Sequence, residues 1–110
     1  MPPRTRSVLL DECVDRRLAI HLKPHPVTTV PKAGWAGVKN GRLLQQAVRW
    51  FDVFVTVDRN LSFQQNVVDF DIAVIVFKAH SNRLDDLLPL LPKLLRAIES
   101  AEPGKVQVVS

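Results

Sequence analysis

The run Ile72-Ala73-Val74-Ile75-Val76-Phe77 constrains the fold more than any other stretch of the chain. An extended segment points successive side chains to opposite faces, so a strand without a polar alternate has both faces out of water. Such strands belong inside parallel sheets covered by helices on either side. The rest of the sequence agrees. Ser7 to Leu10, Val27 to Val30, Val53 to Val57 and Val106 to Val109 are predicted as further strands. A helix is expected from Asp15 to Leu22, ending before Pro24, whose ring cannot continue it. Residues 31–41, with Gly34, Gly37 and Gly41, form a loop. A second helix is expected from Arg42 to Trp50, with Leu43, Leu44, Ala47, Val48 and either Trp50 or Phe51 on one apolar face. Pro89 and Pro92 would break a helix interior, but the first turn has no internal use for its N–H groups. A short turn at Leu84 to Leu87 followed by a helix from Pro89 to about Ser100, with Leu91, Leu94, Leu95 and Ile98 as its buried stripe, accommodates both. Strands alternating with helices predict one α/β domain over residues 1–110, with a mainly parallel sheet of about five strands.

Length and composition set outer limits. A chain of 110 residues suits one domain and can bury a core without disulfides. Cys13 is the single cysteine, so no internal disulfide forms, which fits a reducing cytoplasm. Residues 1–7 carry no signal-peptide pattern, and no apolar run approaches the roughly 20 residues that span a bilayer. The expectation is a cytoplasmic protein with no membrane partner. The net charge of +4 permits contact with a polyanion without demanding it.

In parallel sheets, ligands sit beyond the carboxyl ends of the strands, where strand order reverses. The polar residues of this chain collect at those ends. The first strand stops at Asp11-Glu12, the third at Asp58-Arg59-Asn60, and the fourth at residues 78–83, which include His80, Asn82 and Arg83. The second helix opens near Asn40. Two ionised carboxylates on adjacent strands repel unless a cation neutralises them. Oxygen ligands favour a hard ion such as Mg²⁺ or Mn²⁺, which can activate water for attack on phosphorus. The plainer alternative is that acids merely solvate strand ends.

"LLDE" after the first strand, the G-x-K-N-G-x-L-L-like stretch opening the second helix, and "VTVDRN" after the third together resemble the PIN-like domain family. The resemblance covers nearly the whole chain in element order. It implies a three-layer α/β fold, a metal-dependent ribonuclease and the toxin half of a toxin–antitoxin pair. RNA would be the substrate and a small antitoxin the protein partner, and a homodimer is left open. By this resemblance Asp11 and Asp58 are metal ligands, with Glu12 a further candidate. Asn40 and Asn60 stand where many members carry acids. An asparagine offers an oxygen but no charge, so these departures favour weak or absent catalysis. Arg59, Asn82 and Arg83 are candidates for gripping substrate phosphate.

Each of these residues also has a structural reading. Asn40 makes a good helix N-cap, and Ser81 or Asn82 could cap the turn at Leu84. Glu12 could face away from Asp11. Cys13 at a helix start could have a lowered pKa. His21 and His25 have the spacing of a zinc pair, but Pro24 interrupts the helix between them. Trp35 packs its loop or stacks a base. Two other functions fit the pattern. Receiver domains of response regulators also place an acidic pair after strand one and an aspartate after strand three, but they need a lysine after the last strand, and the chain ends Val108-Val109-Ser110. A non-catalytic binding module would keep the fold and use its basic rim.

Overall fold

The computed structural model describes residues 5–38, 40–57 and 67–110. Five strands, β1 (Val8–Leu10), β2 (Val27–Thr29), β3 (Val53–Thr56), β4 (Ala73–Phe77) and β5 (Val106–Val109), form one sheet in the order β2-β1-β3-β4-β5. Every neighbouring pair is parallel. The mainly parallel α/β architecture expected from the alternation is therefore present. Parallel neighbours cannot be joined by tight turns and need crossovers. A 3-10 helix (Arg16–Leu22) connects β1 to β2, and α1 (Asn40–Ala47) lies between β2 and β3. Between β4 and β5 come α2 (Leu84–Leu87), a 3-10 turn (Leu88–Leu90) and α3 (Leu91–Ser100).

Strand alternation divides the apolar residues between two cores. Val8, Leu10, Val53, Val55, Ala73, Ile75 and Phe77 pack with Leu18 and Leu22 of the 3-10 helix and with Leu87, Leu94 and Ile98 of α2 and α3. Leu9, Phe54, Val74 and Val76, on the opposite face, pack with Leu43, Leu44 and Ala47 of α1. Every residue of β1, β3 and β4 is buried, whereas β2 and β5, at the edges, are only partly covered. Burying a large aliphatic or aromatic side chain contributes about 1.5–3 kcal/mol. The two-sided burial of the inner strands is thus the main source of cohesion.

The prolines sit where the backbone can spare their N–H groups. Pro89 lies in the 3-10 turn and Pro92 in the first turn of α3. Leu94, Ala97 and Ile98 form the buried face of α3, and Leu91 and Leu95 flank it. Two local expectations are corrected and one open alternative is decided. The first helical segment is 3-10 and begins at Arg16. The Asp15 carboxylate accepts from the Arg17 N–H at 3.0 Å, only two residues on, and so favours a tight first turn. α1 starts at Asn40 and ends at Ala47, with turns continuing through residue 50. Phe51, not Trp50, joins the core: it meets Trp35 edge-to-face at 6.0 Å, while Trp50 is 69% exposed. Trp35 is held by a loop that turns at Gly34 and Gly37, where φ is +84° and +80° and a side chain would be strained.

Phe54→Ala is expected to cost about 3–5 kcal/mol in urea unfolding, because it empties the centre of the α1-side core. Val108→Ala, on the exposed side of β5, should stay within about 0.5 kcal/mol of the parent protein.

Candidate functional site

The strand order reverses between β1 and β3. The chain passes from β1 outward to β2, then crosses back to β3 on the other side of β1. The crevice beyond the carboxyl ends of β1 and β3 is therefore the topological switch point of the sheet. Asp11 stands there. Its N–H continues the ladder by donating to the Val55 carbonyl at 2.9 Å, and its own carbonyl accepts from the Val14 N–H at 3.0 Å, which turns the chain away from the sheet.

The Asp11 carboxylate is held on both oxygens. Oδ1 accepts from the Glu12 N–H at 2.8 Å. Oδ2 accepts from the Thr56 hydroxyl at 2.7 Å and from the Cys13 thiol at 3.3 Å. Thr56 is the last residue of β3 and is fully buried. The register explains the meeting: Leu10 pairs with Val55, so the next residues, Asp11 and Thr56, come side by side. The Cys13 sulfur also lies 3.5 Å from Thr56 Oγ1.

Cys13 does not have the lowered pKa expected of a helix start. Burial pushes the thiol up, and the negative charge of Asp11, which also accepts its hydrogen bond, adds to the rise; hydrogen bonds to Thr56 and the Val57 backbone oppose it. Close by, Asp15 caps the 3-10 helix and pairs with the Arg17 guanidinium at 2.7 Å. Those hydrogen bonds hold the Asp15 carboxyl well below the usual carboxylate range.

The loop after β4 reaches the same place. Asn82 Nδ2 donates to the Cys13 carbonyl at 3.0 Å, tying the β4–α2 loop to the β1 turn. Asn82 therefore does not cap the helix at Leu84. Ser81 does organise that start, accepting from the Arg83 N–H at 3.1 Å and donating to Asp86. Arg83 is exposed immediately before α2. Glu12 is exposed beside Asp11 and, with it, lines a cleft of about 710 Å³ whose other walls include Arg16, Thr29 and Lys32. Asn40 is the first residue of α1. Asp58, Arg59 and Asn60 lie outside the described residues.

The structure thus brings Asp11, Glu12 and Asn82 to one end of the sheet, adds Thr56, Arg16 and Lys32, which the sequence reading did not single out, and makes Cys13 a hydrogen-bond donor to Asp11. Thr56 follows from the β1–β3 register, which the sequence alone does not give. Cys13 as a donor, and Arg16 and Lys32 as cleft walls, follow only from the turns around them. The His21–His25 zinc pair does not form: His25 is buried and its Nδ1 accepts from the Arg6 N–H at 2.9 Å, while His21 is exposed. Among the described residues, no group of three or more His, Cys, Asp and Glu side chains could hold a metal ion. No helix among them is long and apolar enough to cross a membrane. The chain matches no protein-family model, no curated protein and no solved structure.

The oxygen donors Asp11 and Glu12 suit a hard cation in kind. The described residues do not complete a shell, because Asp11 spends most of its acceptor capacity on Glu12, Thr56 and Cys13. The raised Cys13 pKa has a testable sign. The folded state keeps the thiol protonated above its ordinary value of 9.0, so the contribution to stability is full below that pH and is lost as pH rises through the folded value. Melting temperature measured from about pH 7 to about pH 10 should fall at the alkaline end, and Cys13→Ala should flatten that fall.

Proposed function

We propose that this chain is a PIN-like, metal-dependent ribonuclease whose site lies beyond β1 and β3. The observation that carries the reading is the placement of Asp11. It stands at the switch point of a parallel sheet, is fixed by Thr56, and opens on a cleft with Arg16 and Lys32 in its walls. Asp58, two residues beyond Thr56 in the chain, supplies the second carboxylate in this proposal. When bound, Mg²⁺ or Mn²⁺ would supply positive charge and a more acidic water for phosphodiester hydrolysis.

The roles of the chain's own groups follow from their contacts. Thr56 and the Glu12 N–H orient the Asp11 carboxylate. Arg16 and Lys32, on the cleft walls, provide cationic contacts for a phosphodiester. Asn82 holds the β4–α2 loop against the β1 turn and so limits movement at the rim. Asn40 and Asn60 add oxygen atoms without charge, and a small antitoxin would act by covering this face.

A second reading is a PIN-like module that binds RNA or a protein without cutting. Asn40 and Asn60, standing where many members of the resembled family carry acids, favour it.

Labelled single-stranded RNA incubated with Mn²⁺, Mg²⁺ or EDTA separates the two. Nuclease action predicts cleavage that needs metal and is lost in Asp11→Asn and Asp58→Asn. Thr56→Val should reduce the rate or the metal affinity by about 10–100-fold, as expected when the partner that orients a ligand is removed. RNA left intact under all conditions, but cut by the double variant Asn40→Asp/Asn60→Asp, would support the non-catalytic reading and a weakened site.

A further inference from the structure

The charges are unevenly divided along the chain. Residues 16–51 hold seven Lys and Arg and no Asp or Glu, whereas the remaining residues hold eight Lys and Arg against eleven acids. The overall charge of +4 therefore hides one strongly basic segment. That segment supplies α1 and the loop before it. Two hollows adjoin on this part of the surface and share Gln46. One is walled by Arg42 and the loop residues 36–38, the other by Trp35, Gln45, Arg49 and Trp50. Arg42, Arg49 and Trp50 are exposed, Trp50 at 69%. The Gln46 Oε1 is buried and has no hydrogen-bond partner among the described residues.

We infer that this surface holds a single-stranded nucleic acid. An indole left in water has no role in the core, since Phe51 takes the inner position beside Trp35. An exposed tryptophan next to an arginine suits an unpaired base, which can stack on the ring while the guanidinium meets the phosphate. Gln45, exposed on the wall of the same hollow, offers its amide group to base edges. A duplex keeps its bases stacked on one another and cannot use Trp50 in this way. The lack of acidic residues throughout the segment favours a polyanion over a protein partner. The inference shares with the nuclease reading only the class of ligand, and it needs no metal and no hydrolysis.

Fluorescence anisotropy with labelled single-stranded RNA and DNA oligonucleotides, in EDTA, tests it without cleavage. Binding should quench tryptophan emission. Trp50→Ala should weaken affinity about tenfold, the loss of one stacked base. Arg42→Ala/Arg49→Ala should lower the salt dependence of log K by about 1.4, the value for two phosphate contacts to a single strand. Either RNA or DNA bound in this manner supports the assignment. All three side chains are exposed or line surface hollows, and unchanged melting temperatures would confirm that the variants fold. Equal affinity of the parent and Trp50→Ala would overturn the inference, as would equal binding of a duplex. So would a dimer in solution that Trp50→Ala dissolves while no oligonucleotide binds, since that would assign the patch to a second copy of the chain.

Discussion

Parallel pairing cannot be left half-covered, and this requirement organises the whole molecule. Each inner strand hides side chains on both faces, so the sheet needs helical layers above and below it. The helices in turn need long crossovers, and the crossovers leave the carboxyl ends of the strands open to solvent. The 3-10 helix, α2 and α3 seal one face around Leu10, Val55 and Ile75, and α1 seals the other around Phe54 and Val74. The open end is what remains, and the polar residues of the strand ends occupy it. The candidate site is a by-product of the same demand that buries the core.

Backbone register then converts proximity into geometry. The in-register pairing of β1 with β3 sets Asp11 against Thr56 without any loop having to position them. The turn that follows adds the Glu12 N–H and the Cys13 thiol to the same carboxylate. The Asn82 contact brings the loop beyond β4 to this turn. Three segments distant in sequence thus converge on the turn that carries Asp11.

The sheet was legible because its signals are periodic and local. The unbroken run at residues 72–77 announced two-sided burial, and Pro89 and Pro92 marked the start of the last helix. Helix ends were less legible: α1 begins two residues earlier than its apolar face suggested, because Gly41 and Asn40 carry no apolar signal. The choice between Trp50 and Phe51 depended on where the helix stopped, which spacing alone could not decide. At the site, Asp11 was visible as a carboxylate ending an apolar run. Its partners were not, since Thr56 looks like any β-branched strand residue, and the pull of burial on Cys13 depends on contacts across 43 positions of chain. The contribution of Asp58, Arg59 and Asn60 lies outside the described residues.

Thr56 has a consequence for the cost of recognition. Its side chain is fully buried, and its hydroxyl reaches Asp11 through the sheet itself. The carboxylate therefore loses its rotational freedom when the chain folds, not when a ligand arrives. A molecule that meets Asp11 finds an acceptor whose ordering entropy has already been spent, and more of the contact energy is retained as affinity. The same coupling makes the geometry of the site inseparable from the pairing of β1 with β3: local opening of that pair would abolish it.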